Sequence, residues 1–104
     1  MSVYGSGETV SAATTSGAGA HSITKNKTIS NPSSAAAVFL QLPAANSLKE
    51  FSDYVVKDGK GDAGVNPITI TSAGGNIDGA TSIVINSNYG ALVFASDGTD
   101  WYLI

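Results

Sequence analysis

The sequence predicts an all-β domain, an antiparallel sandwich of jelly-roll-like outline behind an extended N-terminal arm. Three observations predict it. Residues 66–104 hold four runs rich in β-branched and aromatic side chains, with legible turns between them. Further strand-like runs recur upstream at a spacing of roughly 10 to 15 residues, the rhythm of a sandwich or barrel. No segment offers a helix able to cross over a sheet, which leaves antiparallel pairing as the expected connection.

A chain of 104 residues is one domain by size, and its core is small enough that association with another protein would help it. Cysteine is absent, so neither a disulfide nor a thiolate metal site can supply the difference. Five Lys and no Arg stand against six Asp and two Glu, for a net charge of −3. That balance argues against a nucleic-acid partner, whose binding rests on cationic contacts to phosphate. The first residues form neither a basic nor an apolar signal region, and no run approaches the roughly 20 apolar residues of a spanning helix. Neither classical export nor a membrane partner is therefore expected.

Taken in order, residues 1–20 are dense in Gly, Ala, Ser and Thr and bury too little apolar surface to offset their own ordering entropy. They are expected to be an arm held by a partner. Val3, Tyr4 and Val10 are its sizeable apolar side chains and its expected anchoring contacts, and residues 8–14 are expected to pair as an edge strand. Residues 21–30 alternate His21, Ile23, Lys25, Lys27 and Ile29 with Ser, Thr and Asn, which predicts one strand broken at Asn31-Pro32. Residues 37–42 are nearly all apolar, the pattern of a buried strand, and Pro43 ends it. Residues 44–51 have room for little more than one helical turn, with Asn46 or Ser47 as its cap.

Residues 53–57 supply the next strand, through Tyr54, Val55 and Val56, and a Gly-rich connection leads on to residue 66. Two hairpins follow. Ile68 and Ile70 alternate with Thr69 and Thr71, Ile83 and Ile85 continue the theme, and residues 89–95 and 101–104 make the last two runs. Gly74-Gly75, Asp78-Gly79 and Asp97-Gly98 supply the residues that tolerate positive φ at the turns. Alternation places Leu40, Leu42, Val55, Ile68, Ile70, Ile85, Leu92, Phe94 and Leu103 in the core.

No stretch announces a reaction. His21 is the single histidine, with no nucleophile elbow near it, and Asp58, Asp62, Asp78, Asp97 and Asp100 all sit in turn contexts that Asp favours for local hydrogen bonding. Residues 58–64 space oxygen ligands as a calcium loop does, but Lys60 stands where a third ligand belongs. Gly5-Ser6-Gly7-Glu8 lacks the Gly-Lys-Ser/Thr of a phosphate loop. No catalytic, cofactor or metal site is expected. Among the aromatics, Trp101 and Tyr102 are successive strand residues and point to opposite faces, so one of the two is expected to be exposed or at an interface.

Asn66-Pro67-Ile68-Thr69-Ile70-Thr71, Ile77-Asp78-Gly79-Ala80, Ile85-Asn86-Ser87-Asn88-Tyr89-Gly90 and Ser96-Asp97-Gly98-Thr99-Asp100-Trp101-Tyr102, in that order, resemble a module of tailed-phage virion proteins. Head-decoration proteins, tail fibres and tail-needle knobs carry similar text. Phe39-Leu40-Gln41-Leu42-Pro43 and Tyr54-Val55-Val56-Lys57-Asp58 resemble the opening of the same module, so the likeness covers residues 37–104. It implies a jelly-roll-like fold, a homotrimer and no catalysis. The expectation is a non-enzymatic virion protein assembled in the host cytoplasm, a head-decoration or cement protein. Its arm, residues 1–20, docks on the major capsid protein or another virion protein, and its β-domain, residues 21–104, faces outward. The chain opens with a short Gly-rich arm where a fibre would carry a shaft, which favours the head. The alternative is a tail-fibre or tail-needle tip that binds a host glycan through Trp101 or Tyr102.

Overall fold

The computed structural model describes residues 7–12, 14–47 and 53–104. Among them are nine strands: β1 (Gly7–Val10), β2 (His21–Ser22), β3 (Lys27–Ser30), β4 (Val38–Leu42), β5 (Asp53–Asp58), β6 (Ile68–Ser72), β7 (Ser82–Ile85), β8 (Ala91–Ser96) and β9 (Trp101–Leu103). They form two sheets, a five-stranded one in the order β1-β3-β5-β8-β9 and a four-stranded one in the order β2-β4-β6-β7. Among the described residues, helix is confined to single 3-10 turns at Gly17–Gly19 and Ala45–Ser47. The expected helical turn near Leu48 lies outside the described residues.

The antiparallel expectation is corrected. β1 pairs with β3, β3 with β5, β2 with β4 and β4 with β6, all in parallel. Only β5–β8, β6–β7 and β8–β9 are antiparallel. The first six strands alternate between the sheets, so each turn of the chain lays one strand in each sheet, and β1 to β4 each pair with the strand two places on. Parallel neighbours need a long crossover, usually a helix. Here the crossover is a strand of the opposite sheet.

The same winding divides residues 21–30. β2 belongs to the four-stranded sheet and β3 to the five-stranded one, and the chain changes sheets between them. The inward face changes parity on the way: Ile23 is buried, but in β3 the inward residues are Thr28 and Ser30, and Ile29 faces out. Thr28 Oγ1 and Ser30 Oγ are buried and engage no partner among the described residues. A buried hydroxyl without a partner costs about 1–3 kcal/mol. Thr28→Val keeps the shape and removes that cost, so it is expected to stabilise the fold by about 1 kcal/mol, read as a higher urea midpoint at unchanged slope.

One buried cluster draws on both sheets, with Val38, Leu40, Leu42, Ile68, Ile70 and Ile85 from the smaller and Tyr54, Val56, Phe94 and Trp101 from the larger. Eight of the nine expected core residues lie in this cluster or pack against it; Leu92 and Leu103 are its partly buried members. Val55 is the exception in phase. The inward residues of β5 are Tyr54, Val56 and Asp58, because the carboxylate of Asp58 takes the last inward place and organises the loop that follows.

Both hairpins of residues 66–104 are present, one in each sheet. Asp78 (φ 49°) and Gly79 (φ 79°) form the centre of a tight turn in which Ile77 and Ala80 exchange both backbone hydrogen bonds, as a type I′ turn does. Gly75 (φ 88°) packs so closely on the second hairpin that a Cβ there would come within 2.5 Å of the Thr99 carbonyl oxygen. Tyr89 is a turn residue (φ 59°) instead of the first residue of a strand, and β8 begins at Ala91.

Candidate docking surfaces

The two flanks of the molecule are closed differently. On one, the segment between β6 and β7 meets β9: Trp101 N–H donates to Asn76 O at 2.8 Å, and Asp78 N–H donates to Trp101 O at 3.0 Å. On the other, the edge strands β1 and β2 are joined by side chains. Glu8 Oε1 lies 2.6 Å from His21 Nε2, and Glu8 Oε2 accepts the backbone N–H groups of Thr24 and Lys25, each at 3.2 Å. Glu8 lies two residues before buried Val10, on the same face of β1, and so points inward, an acid set into an edge strand as proteins do to keep edges from pairing further. Glu8→Ala removes all three contacts. It is expected to cost about 1–2 kcal/mol and to speed hydrogen exchange in β1 more than in β5.

This flank changes the reading of the N-terminal arm. The edge strand expected in residues 8–14 exists as Gly7–Val10, but it pairs with β3 of its own chain. Val10 is 5% exposed and belongs to the buried cluster, so it is corrected from an anchoring contact to a core residue, because its alternation in β1 turns it to the same side as Glu8 and away from solvent. Phe39 N–H donates to Thr14 Oγ1 at 2.7 Å, which ties the following residues to β4. Val3 and Tyr4 lie outside the described residues.

The outer face of the five-stranded sheet is the apolar one. Ile29 on β3, Val55 on β5, Val93 and Ala95 on β8, and Tyr102 on β9 share it, with Ile104 just beyond. Ile29 is 44% exposed, Tyr102 42% and Ile104 74%. Lys27, Lys57 and Asp53 are the charged residues that share this side of β3 and β5. The other sheet turns Gln41, Thr69, Thr71 and Ser82 outward beside Phe39 and Val84. β1 is an edge of the apolar sheet, so the chain before Gly7 joins at the border of that face.

Trp101 is corrected from a candidate exposed aromatic to a core residue. Its ring is fully buried, meets Tyr54 edge-to-face at 5.4 Å between centroids, and donates from Nε1 to Pro43 O at 3.0 Å. Tyr102 is the member of the pair on the surface. It stands beside Asp97, whose Oδ1 accepts the N–H groups of Asp100 and Thr99, each at 2.9 Å. Those hydrogen bonds hold the Asp97 carboxyl below the usual carboxylate range. The negative charge of Asp97 in turn raises the Tyr102 phenol above its ordinary value, with smaller contributions from desolvation and from Asp100 and Asp78.

A second exposed aromatic stands in the turn before β8. Tyr89 is 60% exposed, with Lys57 Nζ 5.6 Å from its ring centroid and hydrogen-bonded to its carbonyl oxygen. Its left-handed backbone is held from within, since Tyr89 N–H donates to Asp58 Oδ2 at 2.9 Å. Asp58 also accepts from Gly61 and Ala63, each at 3.0 Å. Burial alone would raise its pKa, but the N–H groups of Ala63, Tyr89, Gly61 and Lys60 outweigh burial and hold it below the ordinary value. Among the described residues, no group of three His, Cys, Asp or Glu is placed to hold a metal ion, and no helix is long and apolar enough to cross a membrane.

Set against known proteins, the chain matches no family model and no curated protein.

Proposed function

We propose that the chain is a non-enzymatic structural protein of a tailed-phage virion, a head-decoration or cement protein docked on the major capsid protein. The observation that carries this reading is the outer face of the five-stranded sheet, where Ile29, Val55, Val93, Ala95 and Tyr102 share one side with Lys27, Asp53 and Lys57, and which is bordered by β1. A contiguous apolar face of this kind is what a protein–protein contact uses. The resemblance of residues 37–104 to virion modules supplies the setting, and it extends to a homotrimer and to a jelly-roll-like sandwich in which the two sheets stack face to face. Residues 2–6, with Val3 and Tyr4, are the anchoring segment in this reading, and β1 belongs to the domain.

The clean test is a short deletion. Removing residues 2–20 would take away β1, Glu8 and Val10 and unfold the edge, so loss of binding would prove nothing. Removing residues 2–6 spares them. Full-length protein is expected to co-sediment saturably with undecorated shells, and the 2–6 deletion to bind at least about tenfold more weakly (about 1.4 kcal/mol) while melting at the same temperature. Unchanged affinity of the deletion would sink the anchoring role, and full-length protein that ignores shells would sink the decoration reading.

A further inference from the structure

The geometry points to a binding site for one neutral pyranose ring on the outer face of the four-stranded sheet. A cleft of about 280 Å³ lies there, overhung by the turn at Gly17–Gly19. Phe39 alternates with buried Val38 and Leu40, and its side chain is therefore on the outer face, where it is the one aromatic among the described residues that lines the cleft. Around it stand the hydroxyl side chains of Ser16, Thr69, Thr71, Thr81 and Ser82. Among the described residues, no charged side chain lines it.

The overhang is a built feature. Thr15 N–H donates to Gly19 O at 3.2 Å, Ala20 N–H donates to Gly17 O at 3.1 Å, and the Phe39 N–H bond to Thr14 fastens the segment to β4. Thr71 Oγ1 makes only a long bond to Leu40 O, at 3.4 Å. The hydroxyls of Ser16, Thr69, Thr81 and Ser82 make no hydrogen bond among the described residues, so their donors and acceptors are available to a ligand.

The ligand class follows from that set. An apolar molecule would leave the hydroxyls of Ser16, Thr69, Thr81 and Ser82 without partners, and a phosphate or carboxylate would find no cation among the described residues. A sugar ring has an apolar C–H face for the Phe39 ring and equatorial hydroxyls for the Ser and Thr rim. The volume is slightly below the roughly 300 Å³ at which drug-sized sites begin, which suits one ring better than two. The site does not depend on where in a virion the chain resides, nor on docking through the N-terminal residues.

The test is an amide-shift titration of the ¹⁵N-labelled full chain with the methyl glycosides of glucose, galactose, mannose and N-acetylglucosamine, with sorbitol as the open-chain control. At least one glycoside is expected to give saturable shifts at Gly17, Ala20, Phe39, Thr69 and Ser82 at millimolar concentration, while sorbitol gives none. Phe39→Leu and, as a second variant that preserves strand propensity, Thr69→Val are each expected to weaken binding at least tenfold with the rest of the spectrum unchanged. The proposal is overturned if no glycoside shifts these amides, if sorbitol or cyclohexanol shifts them equally, if only an acidic sugar such as methyl sialoside does so, or if both variants bind as the parent does.

Discussion

Trp101→Ala is expected to remove most of the stability of the domain. Truncating a buried Trp costs about 3–5 kcal/mol, and a domain of this size has on the order of 5–15 kcal/mol in all. The substitution also leaves the Pro43 carbonyl without its indole donor and Tyr54 without its edge-to-face partner. By the usual scaling, a loss this large lowers the melting temperature by on the order of 15 °C or more. Tyr102→Ala, one residue away but on the surface, is expected to change stability by less than about 0.5 kcal/mol. A thermal melt of the two variants side by side decides it. If Trp101→Ala melts within a degree or two of the parent, the ring is not the core element described here.

The second large effect lies at Asp58. Its carboxylate collects N–H groups from both the 59–65 connection and the turn at Tyr89, so Asp58→Ala strands three backbone donors, of which that of Ala63 is buried. The expected cost is about 3 kcal/mol or more. Asp58→Asn is expected to recover little of it, since both carboxylate oxygens accept hydrogen bonds and the amide would present a donor to donors. The pH dependence has a definite sign. Because the folded pKa is depressed, the contribution of Asp58 is complete above the unfolded carboxyl pKa of about 4 and is lost as pH falls through the folded value. Urea midpoints from pH 7 down to pH 2 are expected to fall less steeply in acid for Asp58→Ala than for the parent. Parallel pH profiles for the two proteins would show that the native carboxylate is not held in this way.

These two residues also mark where the sequence is legible and where it is not. The C-terminal hairpins can be read because Asp78-Gly79 and Asp97-Gly98 specify tight turns between alternating runs, and local turn chemistry dictates local pairing. Period-2 alternation likewise places Leu40, Ile68, Ile70 and Phe94. It cannot choose between Trp101 and Tyr102, which are equally consistent with either face. What decides is the Pro43 carbonyl, 58 positions away, within reach of the indole N–H. The same blindness shifts β5 by one residue, because the inward place of Asp58 is worth having only when the Ala63 and Tyr89 amides converge on it.

The parallel half of the fold is hidden for a related reason. Nothing local distinguishes a strand that pairs with its neighbour from one that pairs two places on, and residues 21–30 read as one strand although the chain changes sheets inside them. Residues 7–20 look too poor in apolar surface to order themselves. Glu8 is what escapes that estimate: its bond to His21 and to the amides of Thr24 and Lys25 ties the edge to the second sheet, and Val10 follows into the core. A lone acid and a lone histidine 13 positions apart carry no pattern that would reveal this.

The functional reading turns on location, and copy number measures location directly. Quantitative mass spectrometry of purified virions whose genome encodes this chain, with the major capsid protein as internal reference, separates a shell-covering protein from a tail tip. The decoration reading predicts a copy number of the same order as that of the capsid protein. A handful of copies per particle, or none, would contradict it.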